Sequence, residues 1–254
     1  GLVAAIGLAI IVPWLGYSIL KRFLSGFDAA AIAATYGSVS AVTFVTAVQF
    51  LENQDIAYGG HMAAAMALME SPAIIMALVL ANSLRQQTAH CNSVLLQSGS
   101  TAALSSPIKP SGVSVGKILH ESFTDGAQLL LLGAMVVGLA TGESGKAAMQ
   151  PFSGDLFKGM LAFFLLDMGL MASRNLSQLK NISPWLLIYA IVGPFTHAMM
   201  AVGISWILDL PTGDTALLMV LAASASSIAV PAVLRYAIPE ASPSLYFGLS
   251  LGVT

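Results

Sequence analysis

The sequence predicts an all-α membrane protein in which two helical spans are interrupted near their middles. Three observations predict it. Apolar residues make up 57% of the chain and charged residues only 9%, where a soluble domain carries about 25% charged, and mean hydropathy is +0.83. Uncharged apolar runs close to roughly 20 residues, the length of a helical bilayer crossing, recur along the chain. Two of these runs carry small hydroxyl residues halfway along, "YGSVSAVTF" at 36–44 and "AASASSIAVP" at 222–231.

Hydrophobic segments lie near 1–20, 29–51, 59–84, 118–141, 152–173, 183–208, 213–236 and 243–254. They are continuous rather than alternating, which favours helices over a barrel. The first seven are long enough to span. The eighth is too short, so the sequence reads as a fragment cut inside a further span. The run after Gly1 lacks a basic n-region and a cleavage site and reads as a span, not a signal peptide.

Charge sets the expected orientation. The loops after segments one, three, five and seven hold Lys21, Arg22, Arg85, Lys109, Lys117, Arg174, Lys180 and Arg235, against Lys146 and Lys158 in the others. The first set is expected in the cytoplasm. The Ser-rich linker 85–117 is then cytoplasmic and divides the chain into 1–84 and 118–254.

These two parts echo each other. "FDAAAIAATYGSVSAVTF" and "GDTALLMVLAASASSIAVP" each start on an acid, Asp28 or Asp214, about ten residues before the small-residue cluster. Upstream, "IVPW" at 11–14 is echoed by "VGPF" at 192–195. Segments two and seven lie five spans apart, an odd number, so they cross in opposite directions. That is an inverted repeat, a design common among secondary transporters.

Both clusters are expected to unwind, the second helped by Pro231, which removes a donor and disfavours helix at Val230. Unwound backbone survives in a bilayer only where protein or water satisfies it. The breaks should therefore face inward and meet. The second half-helices would aim two N-termini, each about half a positive charge, at one point, which suits a small anion. The ends of the first half-helices offer carbonyls, which suit sodium.

Other chemistry is sparse. Glu70 has 14 uncharged residues on either side; a carboxylate at mid-bilayer costs about 2.5–3.5 kcal/mol, so it is a candidate for sodium or a proton, or a structural cap for backbone freed by Pro72. Asp167 is a similar but less isolated acid. His197, three residues after Pro194, reads as a structural histidine bonded to a carbonyl freed by the proline. Net charge is −2, so no nucleic-acid partner is implied. A single cysteine, Cys91, excludes an internal disulfide, and four histidines make no spaced metal set. "HESFT" at 120–124 lacks the second histidine of a zinc site, and no hydrolase or nucleotide-binding motif appears.

The stretches "GSVSAVTF…FLENQDIAY…MALMESPAI…LANSL" and "AASASSIAVPAVLRYAIPEASPSLY" resemble the sodium-dependent bicarbonate transporter family over the whole chain. The resemblance implies a 5+5 inverted-repeat secondary transporter with two crossed broken helices, of which this chain would carry spans three to nine and the start of ten. It implies sodium-coupled bicarbonate uptake through the plasma membrane by an elevator-like motion, with sodium as coupling ion and no other cofactor. It also implies a homotrimer and a PII-like cytoplasmic regulator. Carried onto this chain, the anion site falls at Gly37, Ser38, Val39 and Ser40, opposite Ser224, Ala225, Ser226 and Ser227, with Thr43 and Glu70 for sodium. Ala225 and Ala229 make the second break less polar than in relatives. A cation/proton antiporter, or a sodium symporter of another small organic anion, is the alternative. Antiporters of this design keep carboxylates beside the crossed breaks, and neither break here contains one.

Overall fold

The computed structural model describes residues 1–97, 126–179, 183–227 and 229–251. Every regular element among them is helical: α1 (Leu2–Leu20), α2 (Gly26–Gly37), α3 (Ala41–Asn53), α4 (His61–Gln97), α5 (Gly126–Gln150), α6 (Phe157–Leu179), α7 (Pro184–Ile207), α8 (Thr212–Ala223), α9 (Ala229–Ala237) and α10 (Pro243–Leu251). A π-helical turn, Pro151–Leu156, joins α5 to α6. Four stretches among the described residues are long and apolar enough to cross a bilayer: 2–20, 26–53, 61–87 and 184–207. The 26–53 stretch is α2 and α3 taken together, and α8 is a shorter apolar helix. This is an integral membrane protein.

α1 packs against α2, α4 and α7, α7 against α8, and α3 against α8. α2 carries five alanines and two glycines, and residues 29–34 are all buried, which lets neighbouring backbones approach closely. Two apolar clusters form. One gathers α2, the later part of α4, α9 and α10 around Ile32, Leu78, Leu234 and Tyr246. The other gathers the start of α1, α3, the start of α4 and α8 around Leu8, Phe44, Met62 and Leu218. The two interruptions lie between them. Facing outward, Ile10, Trp14, Ile191 and Phe195 are exposed on α1 and α7, an apolar surface that suits lipid.

Helices extend further than the hydropathy pattern predicts. α4 continues past 84 to Gln97, because "RQQTAHCNSVLLQ" contains neither Gly nor Pro to stop it. The remainder of the expected linker, 98–117 with Lys109 and Lys117, lies outside the described residues, as do "HESFT", Lys180 and 252–254. The turn expected after 141 is present as a kink at Gly142, beyond which 143–150 is helical again. Only Gly142 departs, at φ 55° and ψ −142°, a backbone state that glycine adopts without steric cost. Beyond it, Glu143, Lys146, Ala147, Ala148 and Met149 are helix formers that carry the helix onward.

Candidate functional site

The first interruption is three residues long. Ser38 N–H closes the last turn of α2 on the Ala34 carbonyl at 3.1 Å, after which Ser38 (φ −95°, ψ 178°) and Ser40 (φ −103°, ψ 117°) are extended. Ser40 then caps α3, its Oγ accepting from Thr43 N–H at 3.3 Å, the standard role of serine at an N-cap. Gly37 is required at the end of α2. A Cβ there would run into the Pro13 ring of α1, so glycine lets the two helices touch.

The second interruption repeats this with two more residues. Ser224 N–H closes α8 on the Val220 carbonyl at 3.0 Å, and Ser224 (φ −76°, ψ 163°) is extended. Ser226 Oγ accepts from Val230 N–H at 3.2 Å at the start of α9. Contrary to the sequence expectation, Val230 is helical and Pro231 sits in the first turn of α9. There its missing N–H has no intrahelical partner to lose, so it favours a helix start.

The interruptions touch. Ser40 N–H donates to Ser224 Oγ at 3.1 Å. Ser226 N–H donates to the Thr35 carbonyl, in the last turn of α2, at 2.9 Å. Ser224 Oγ also donates to the Leu221 carbonyl at 3.0 Å. The eight residues expected at an anion site, Gly37 to Ser40 and Ser224 to Ser227, are all buried and lie on the two segments that meet. Ser38 is 1% exposed, and its Oγ has no hydrogen-bond partner among the described residues. Such a group is costly unless something satisfies it.

The outer ends are tied together as well. Asp28, in the first turn of α2, is capped by Ser25, and its Oδ1 accepts from Ser242 N–H at 2.7 Å, just before α10. Asp214, in the first turn of α8, accepts through Oδ1 from Gly59 N–H at 2.6 Å, just before α4, and lies 3.5 Å from His61 Nε2. These bonds put the start of α2 beside the end of α9, and the start of α8 beside the end of α3. The two broken spans therefore run in opposite directions. Near Asp28, Arg85 binds Glu240 at 2.7 Å and the Ala237 carbonyl at 3.0 Å. That hydrogen bond holds the Glu240 carboxyl below the usual range. In the opposite loop Tyr58 donates to Glu52 at 3.0 Å, and burial, aided by Glu52, pushes its phenol up to about 12.

The sodium candidates are placed differently. Thr43 is half-buried in the first turn of α3, and Glu70 is half-buried midway along α4. Asp167 is exposed on α6. His197 is buried, but among the described residues its Nδ1 has no partner, so the expected carbonyl bond is not seen there. Instead it packs edge-on to Tyr36 and Tyr189, each 6.4 Å away, and those two rings are 5.2 Å apart. Tyr36 directly precedes Gly37, so this aromatic cluster buttresses the first interruption. Sequence reading missed it, since three aromatic rings on two helices share no spacing. Among the described residues no three His, Cys, Asp or Glu side chains gather for a metal ion.

Two interrupted helical segments that meet at their breaks, and bury hydroxyls and helix ends there, sit inside an all-helical membrane protein. The family profile described as the Na+-dependent bicarbonate transporter superfamily matches residues 1–254. The chain belongs to this superfamily, whose activity is Na+-dependent bicarbonate transport; it is a transporter and not an enzyme. No curated protein matches the chain.

Proposed function

We propose that the two interruptions form a single bicarbonate site, and that the chain carries two inverted repeats related across it. The carrying observation is Ser38 Oγ, buried and unpartnered at the crossing. Beside it, the amides of Ala41 and Val42 in the first turn of α3 have no intrahelical acceptor. A monovalent anion would accept from these groups and meet the positive end of the α3 dipole. Sodium would use carbonyls from the last turns of α2 and α8, with Thr43 and Glu70 as side-chain candidates. The inverted repeat is supported by matched roles: Ser38 with Ser224 at the helix ends, Ser40 with Ser226 as caps, and Asp28 with Asp214 as tethers.

By the charge distribution, the Arg85 and Glu240 face is cytoplasmic; inward transport rests on the family resemblance. An elevator-like motion, a homotrimer and a PII-like cytoplasmic regulator rest on the family resemblance. The test is labelled bicarbonate uptake into liposomes holding the full-length protein, with and without an inward sodium gradient. Sodium-dependent uptake is expected, and Ser40→Leu and Ser226→Leu should each abolish it. Sodium-driven proton efflux without bicarbonate uptake would instead make the protein an antiporter. A sodium response unchanged by Glu70→Gln would remove that residue from the sodium site.

A further inference from the structure

A cleft of about 480 Å³ runs along the outer surface between α1 and α7. Its walls are apolar, with Ile19, Ile188 and Val192 among them, and Gly193 leaves room on the α7 side. One end is different. Arg22 stands there, just past the end of α1, with Phe23 and Trp185 stacked at 5.0 Å between ring centroids. An aromatic pair beside a basic residue at a helix end marks the headgroup level of a bilayer.

Length and charge identify the occupant. Trp185 to Met200 covers about 22 Å of α7 at 1.5 Å per residue, enough to pass through the roughly 15 Å of hydrocarbon in one leaflet. Arg22 is exposed, and its side chain makes no hydrogen bond or ion pair among the described residues. Arg85, by contrast, is bound to Glu240. Lys21 adds a second cation beside Arg22, its ammonium 5.5 Å from the centre of the Tyr17 ring.

We propose that this cleft binds one acyl chain of an anionic phospholipid, whose phosphate sits on Arg22, while Lys21 stays over Tyr17. The site is separate from the crossing and does not depend on its reading. Trp185 reports on it directly. In the full-length protein carrying Trp14→Phe and Trp206→Phe, chain-brominated phosphatidylglycerol and phosphatidylcholine are compared as quenchers in vesicles. The anionic lipid should quench Trp185 more strongly by about fivefold in apparent affinity, the effect of one basic residue at an anionic surface. Arg22→Gln, an exposed change that leaves packing intact, should erase that preference. Gly193→Leu, which fills the cleft, should weaken quenching by both lipids. Equal quenching by the two lipids would reduce the cleft to ordinary lipid contact and overturn the proposal. So would a preference that survives Arg22→Gln. Absence of quenching by either lipid would mean that another protein segment or a second copy covers the cleft, and would overturn it too.

Discussion

At the first interruption three residues separate the half-helices, and Ser38 Oγ is left without a partner. At the second, five residues separate them, and the corresponding hydroxyl, Ser224 Oγ, accepts from Ser40 N–H and donates to the Leu221 carbonyl. The same residue type at the same helix end thus does different work. The second interruption reaches across and holds the first in place. The first keeps a hydroxyl uncommitted among the described residues. Similar sequence at two helix ends therefore does not imply similar roles, and substitutions at the two serines should separate them.

The largest expected effect is at Gly37. Gly37→Ala puts a methyl group into the Pro13 ring and should cost about 3 kcal/mol by overpacking. It should lower the thermal midpoint in detergent by several degrees and remove bicarbonate uptake. An unchanged midpoint would mean that α1 and α2 are not tightly docked at the crossing. Next come the tethers. Asp214→Ala strands the Gly59 amide and should cost about 2 kcal/mol, the scale of a hydrogen bond to a charged group. Asp28→Ala should cost less, since Asp28 is more exposed than Asp214. Denaturant titrations that found neither change destabilising would dissolve the comparison at the outer ends.

The sharpest contrast is smaller. Ser224→Ala leaves the buried Ser40 amide without its acceptor and should destabilise by about 1 kcal/mol. Ser38→Ala should leave stability unaltered but raise the KM for bicarbonate by about fivefold, the worth of one hydrogen bond to the anion. If both variants lose stability equally and bind bicarbonate normally, the division between brace and receptor fails. The smallest effect concerns pH. Arg85 holds the folded Glu240 carboxyl low, so the unfolded chain takes up that proton first on acidification. The pair's contribution is present above the unfolded pKa and is lost as pH falls through the folded one. Wild type should therefore lose slightly more thermal stability than Glu240→Gln between neutral and acid pH.

The interruptions were legible in the sequence because Gly37, Ser38, Ser40 and the serines from Ser224 to Ser227 break an otherwise apolar pattern. Their meeting followed from a physical constraint, since unwound backbone in a bilayer must find partners. The bonds that join them were not legible. Three of the four atoms involved belong to the backbone, at Thr35, Ser40 and Ser226, where no side chain announces them. Asp28 and Asp214 were visible as an echo in position, but their partners, the amides of Ser242 and Gly59, depend on how distant loops return. Pro231 was read as a breaker at Val230. Its effect depends on place, and in the first turn it has no preceding helical carbonyl to strike. The loop expected near 142–151 was right at its start, where the chain kinks at Gly142, and wrong beyond it, where 143–150 is helical.

The bond from Ser226 N–H to the Thr35 carbonyl is made by main-chain atoms alone. No ordinary substitution other than proline at 226 deletes either atom. The junction can thus be re-dressed with new side chains while its scaffold persists. Anyone seeking to retarget this carrier to a different solute should vary the hydroxyls around that clasp first and leave the helices that deliver it untouched.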